Sequence, residues 1–127
     1  MALTGKLILI AEDEPDIREI LTLAVEARNG KALDAKNGVI AFDLFKKNKI
    51  DAIVTDIRMK GGDGVELLKK VRAIDKKVPF YVVTGFSDFT GEELRVLGAD
   101  AVVFKPFDAE ELMQIIEERF IEDEGEE

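Results

Sequence analysis

Residues 6–29 read KLILIAEDEPDIREILTLAVEARN, and the order of residue types in that stretch decides the architecture. Lys6–Ala11 is a near-continuous apolar run, the pattern of a strand buried on both faces of a parallel sheet. Three acids, Glu12, Asp13 and Glu14, carry the chain out of it. Pro15 then stands where a first helical turn tolerates a missing N–H. Ile17, Ile20, Leu21 and Ala24 follow at helical spacing, and Asn29-Gly30 ends the helix.

The same alternation repeats outward. A weak strand over Lys31–Ala35 leads through Asn37-Gly38 into a helix carrying Val39, Ala41, Phe42 and Phe45. Asp51–Thr55 is a third strand ending at Asp56, and Gly61–Gly64 a loop before a helix with Val65, Leu68, Val71 and Arg72 along one side. Val78–Thr84, opened by Pro79, is a fourth strand and Asp100–Phe104 a fifth. Thr90–Glu93 and Asp108–Glu111 each fit a capping box. They start a short helix ending near Gly98 and a last one with Leu112, Ile115, Ile116 and Phe120. Five strands alternating with five helices predict an α/β, doubly wound (βα)5 flavodoxin-like sandwich. Right-handed crossovers leave few strand orders for its parallel sheet, and one of them is 2-1-3-4-5, with a ligand crevice outside the carboxyl ends of the strands.

A length of 127 residues suits one domain with a real core. No apolar run approaches the ~20 residues of a bilayer span. The opening Met-Ala-Leu-Thr-Gly-Lys lacks a secretory layout, so the expected compartment is the cytoplasm. With no cysteine and no histidine, thiolate chemistry, Ser-His-Asp chemistry and imidazole metal sites are excluded. Any metal needs oxygen ligands, which favours magnesium, manganese or calcium. A net charge of −9 argues against direct nucleic-acid binding. Residues 117–127 hold seven acids against Arg119, a net of −6 that leaves −3 for the rest. The expectation is a domain over residues 1–121 and a solvated acidic tail over 122–127.

The crevice rule brings Glu12, Asp13, Asp56, Thr84 and Lys105 to one sheet edge. Singly each has an ordinary explanation: helix cap, strand residue or surface charge. Together they differ, because clustered carboxylates repel unless a cation neutralises them. A magnesium ion held by one or two carboxylates and water is the natural answer, manganese the alternative. Such a cluster beside a lysine and a hydroxyl suits phosphoryl transfer, where catalysis is positioning and charge stabilisation. Asp56 would be the nucleophile, with the cation, Lys105 and Thr84 each taking a phosphoryl oxygen. Neither a G-x-x-x-x-G-K-[ST] loop nor G-x-G-x-x-G occurs, so nucleotide binding has little support.

Five segments, Ile8–Pro15, Ile53–Met59, Asp63-Gly64, Val82–Gly85 and Phe104–Phe107, resemble the motifs of a two-component response-regulator receiver domain of the CheY-like superfamily. The resemblance spans about residues 5–121. It implies that Asp56 is the phosphoacceptor, Asp13 a direct magnesium ligand and Glu12 a partner through water. It further implies the Arg58 carbonyl as a third protein ligand, Thr84 as the switch hydroxyl and Lys105 as the phosphoryl-pairing cation, with a cis Lys105–Pro106 bond. The implied partners are a sensor histidine kinase or histidine phosphotransfer protein and a downstream protein effector; a homodimer on phosphorylation is an option that the sequence leaves open. In this reading the chain catalyses only its own phosphorylation and dephosphorylation.

Three departures shape the expectation. Lys60 stands where the family often has proline, implying a more mobile loop. Val102 stands where a switch aromatic is usual, and Phe104 shares its strand parity. Arg58 and Phe86 flank the site without activating water, so the acyl phosphate would persist, while Gly85 leaves room for a donor. Two other readings compete: a phosphorylation-independent pseudo-receiver that only binds partners, and a metal-dependent phosphohydrolase. The latter lacks a second acid two residues after Asp56, where Arg58 stands.

Overall fold

The computed structural model describes residues 2–85 and 89–125. In chain order the elements are β1 (Leu7–Ala11), α1 (Pro15–Glu26), β2 (Lys31–Ala35), α2 (Gly38–Lys47), β3 (Ala52–Thr55), α3 (Gly64–Ile74), β4 (Phe80–Thr84), α4 (Gly91–Val96), β5 (Ala101–Phe104) and α5 (Ala109–Gly125). All strand pairs are parallel and the sheet runs β2-β1-β3-β4-β5, the order expected.

Why the strands read as unbroken apolar runs is visible in the packing. Successive side chains point to opposite faces, and both faces are covered. Leu9, Ile53, Phe80 and Val82 pack with Ala41 of α2, Leu68 and Val71 of α3 and Leu94 of α4. Ile8, Ile10, Val54, Tyr81 and Val83 pack with Leu21 and Val25 of α1 and Leu112, Met113 and Ile116 of α5. The inner strands β1, β3 and β4 thus serve two cores and would strand a polar residue on either face, whereas the edge strand β2 exposes Lys31 and Asp34.

Local signals set the ends. Asn29 takes a left-handed φ of 64° after α1. Asn37 caps α2 through Ile40 N–H and Asp63 caps α3 through Glu66 N–H, each worth ~1 kcal/mol. The capping box at Thr90 forms with both halves. Asp108 instead accepts from Glu110 N–H at 2.8 Å, one residue earlier than a capping box requires. The expected fourth strand begins two residues late. Asp75 Oδ1 takes the N–H groups of Lys77 (2.8 Å) and Val78 (3.0 Å), and Pro79 has no N–H to give the ladder. α5 continues to Gly125, so most of the acidic 117–127 segment is helical. No helix among the described residues is long and apolar enough to cross a membrane.

The direction in which strands are added to the sheet reverses at β1: the first crossover goes to β2 on one side and the second returns to β3 on the other. The register pairs Ala11 with Thr55, so Glu12-Asp13 and Asp56 leave the sheet side by side at that switch point.

Candidate functional site

Asp56 follows the last residue of β3, its N–H still bonded to the Ala11 carbonyl at 3.0 Å. Its carboxylate is fixed on both oxygens. Oδ1 accepts from Ile57 N–H at 2.6 Å and Oδ2 from the Lys105 ammonium at 2.7 Å. The residue is 7% exposed, so it is walled in yet reachable. Gly64, the first residue of α3, presses against its backbone: a Cβ there would lie 2.0 Å from the Asp56 carbonyl oxygen. Sequence reasoning placed Gly64 in a loop and in the Asp63-Gly64 segment of the resemblance but assigned it no contact with Asp56.

Glu12 is almost fully buried, with Oε1 bonded to Lys105 Nζ at 2.9 Å and Oε2 to Glu14 N–H at 3.2 Å. Burial pushes its pKa up, and repulsion from Asp56 adds to that, against the lowering pull of Lys105 and the Glu14 N–H. Asp13 is half-buried and accepts from Lys60 N–H at 3.3 Å. Proline at position 60 could not make that bond, so this chain's departure supplies the loop with a tether to the acid pair. Oxygens of Glu12, Asp13 and Asp56 all lie within 4.8 Å of one another.

Lys105 is contributed by the far side of the sheet, just after β5, and the Lys105–Pro106 bond is cis. Burial alone would lower its pKa; the hydrogen bonds to Asp56 and Glu12 outweigh that and raise it. The balance is informative. Three carboxylates against one ammonium leave a net charge of −2 in the pocket. One hard divalent cation neutralises that charge, and an all-oxygen donor set fits such an ion.

Thr84 is buried at the end of β4, and its carbonyl accepts from Lys105 N–H at 2.9 Å. It is therefore placed beside Lys105 on the same rim. Among the described residues a Cβ at Gly85 would meet the Lys105 stem, at 3.6 and 3.7 Å. The Arg58 side chain is exposed, two residues beyond Asp56. Phe86, expected to flank the site, lies outside the described residues. Val102 is partly buried and packs into the core shared with α2, α3 and α4, whereas Phe104 is 55% exposed. Phe104 thus does not pack in the core on Val102's behalf. Beside the pocket, Ile17 and Ile20 of α1 face Lys105, Pro106, Phe107 and Ala109 across a largely apolar groove.

Residues 8–117 match the family model of the response regulator receiver domain. The chain is 30% identical over 110 residues to the sporulation initiation phosphotransferase F of Bacillus subtilis, covering 86% of this chain and 89% of that one. Several longer curated regulatory proteins match across only 24% to 53% of their length. Among solved structures, a CheY-like receiver domain protein from Methanospirillum hungatei superposes with a TM-score of 0.86 at 25% identity, covering 96% and 98% of the two chains. The response regulator TrrA of Thermotoga maritima, solved in complex with Mg2+-BeF, gives 0.80 at 30% identity, covering 89% and 97%. The family's general function is phosphorylation-dependent signalling in two-component systems, in which response regulators interact with histidine kinases and phosphotransfer proteins. With its sheet order, its acid cluster and its lysine in place, this chain belongs to the response regulator receiver domain family.

Proposed function

We propose that this chain accepts a phosphoryl group on Asp56 from the phosphohistidine of a sensor kinase or phosphotransfer protein, and that magnesium is required. One observation carries the reading: Glu12, Asp13 and Asp56 converge within 4.8 Å while Lys105 bonds two of them at 2.7 and 2.9 Å. In the transfer, a carboxylate oxygen of Asp56 forms the new O–P bond as the donor's N–P bond breaks and its imidazole regains a proton. Magnesium, held by Glu12, Asp13, Asp56 and the Arg58 carbonyl, would supply charge neutralisation at the phosphoryl oxygens; manganese fits the same donors. Lys105 would exchange its bond to Asp56 for one to a phosphoryl oxygen, and the Thr84 hydroxyl would turn to another. The apolar groove of Ile17, Ile20 and Phe107 offers a donor protein a place to lie against the pocket.

The added charge would alter the β5, α4 and α5 surface, where Val96 (82%) and Phe104 (55%) stand exposed. That surface would bind a downstream protein or a second copy of the chain. Direct nucleic-acid binding has no part in this reading.

Acetyl phosphate with magnesium tests it. Intact mass should show one phosphoryl adduct, absent without magnesium and absent in Asp56→Ala. No adduct in the wild type would instead support an interaction module that works unphosphorylated. Sustained turnover of phosphate esters with only a fleeting adduct would support the hydrolase.

A further inference from the structure

Consecutive residues of a strand point to opposite faces, yet Glu12 and Asp13 both bring an oxygen within 4.8 Å of Asp56. β1 ends at Ala11, so both acids lie on the turn that follows the strand. The Glu12 N–H still makes the last ladder bond, to the Ala35 carbonyl at 3.0 Å. Its carbonyl takes a donor from outside the sheet. Arg18, one turn into α1, donates from Nη1 to Glu12 O at 2.8 Å.

The guanidinium does not swing freely to make that bond. Its Nε donates to Asp34 Oδ2 at 3.1 Å, and Asp34 sits on β2 in register with Ile10. The Arg18 side chain is only 22% exposed. A planar fork pinned at one edge presents its other nitrogens in a fixed direction. Arg18 N–H also bonds the Glu14 carbonyl at 3.0 Å, so the residue brackets the acid turn from both its backbone and its side chain.

We propose that Arg18 is a positioning residue for the cation site: its bond to the Glu12 carbonyl fixes the turn that carries two consecutive carboxylates, so that both serve one ion. This rests on the receiver reading above. Partners that orient metal ligands are commonly worth about tenfold or more in metal affinity.

Electrostatics alone gives the opposite sign, which makes the test decisive. Removing a positive charge beside a dication site should tighten cation binding. Removing a positioning group should weaken it.

Titration calorimetry with magnesium, on the full chain, reads the difference. Arg18→Met should raise the dissociation constant about tenfold. Arg18→Lys, which keeps the charge but cannot span both acceptors, should fall between it and the wild type. At saturating magnesium the rate of acetyl phosphate labelling of Arg18→Met should return to within about twofold of wild type, since the loss lies in binding. Arg18→Gln serves the same purpose should the methionine variant not fold. Unchanged or tighter magnesium binding in Arg18→Met or Arg18→Gln overturns the proposal while leaving the receiver reading intact. A wild type that binds no magnesium overturns both.

Discussion

Three helices of this protein begin with glycine at the first helical position, directly after a side-chain cap: Gly38 after Asn37, Gly64 after Asp63 and Gly91 after Thr90. Helix propensity treats the three alike, since alanine gains about 0.5–1 kcal/mol over glycine in a helix. Tertiary packing separates them. An added Cβ would sit 3.9 Å from Val102 Cβ at Gly91, 2.8 Å from the Asp63 carbonyl oxygen at Gly38, and 2.0 Å from the Asp56 carbonyl oxygen at Gly64. Gly91→Ala should therefore be neutral or slightly stabilising. Gly64→Ala forces α3 or the Asp56 peptide to retreat by about 1 Å, and neither is a flexible side-chain tip. Overpacking of that kind costs about 1–3 kcal/mol, with rigid backbone at the upper end. Net of propensity the loss is about 2 kcal/mol, a fall in Tm of about 6–10 °C for a domain of this size. A displacement of about 1 Å at a reacting group can also cost about a hundredfold in rate, so acetyl phosphate labelling of Gly64→Ala should nearly vanish. Gly38→Ala should be intermediate in stability and retain labelling. The assay is thermal unfolding by circular dichroism, paired with the labelling rate. A Gly64→Ala protein with wild-type Tm and labelling would refute the argument, as would Gly91→Ala being the most damaged of the three.

Lys105→Met should lower stability by about 2 kcal/mol without magnesium. Breaking a buried ion pair costs about 3–5 kcal/mol, discounted here because the pocket opens to solvent. Magnesium should then stabilise the variant more than the wild type in a thermal-shift titration, and an equal magnesium shift in the two would contradict the charge balance drawn for the pocket. Tyr81 is the single tyrosine of a chain with no tryptophan, so tyrosinate absorbance reports on it alone. Burial, with the nearby Asp100 adding to it, pushes its pKa from 10.0 to about 12. A raised folded-state pKa contributes stability that is complete below the unfolded value and lost as pH rises through the folded one. Stability should accordingly decline by up to about 3 kcal/mol between pH ~10 and ~12, and a native-state midpoint near 10, with secondary structure intact, would show the phenol to be solvated.

The sequence by itself determined the alternation of elements and the identity of the chemical groups, and narrowed the sheet order to a few. These are local or periodic properties: an apolar run reads as a buried strand, Asn37 and Thr90 as caps, and acids after strands as crevice residues. It also erred locally, where Pro79 and the turn at Asp75 hold back the start of β4. What tertiary structure alone decided is how the groups engage. Lys105 bonds Asp56 across 49 positions and Glu12 across 93, and no periodicity records a bond of that separation. The burial that raises the Glu12 pKa, the contact that forbids a side chain at Gly64, and the bond from Arg18 to the Glu12 carbonyl are likewise set by neighbours from other elements. The physical reason is range. Backbone preference and amphipathic period act over a few residues, whereas desolvation, ion pairing and steric exclusion act over a few ångströms between segments that only the folded sheet brings together.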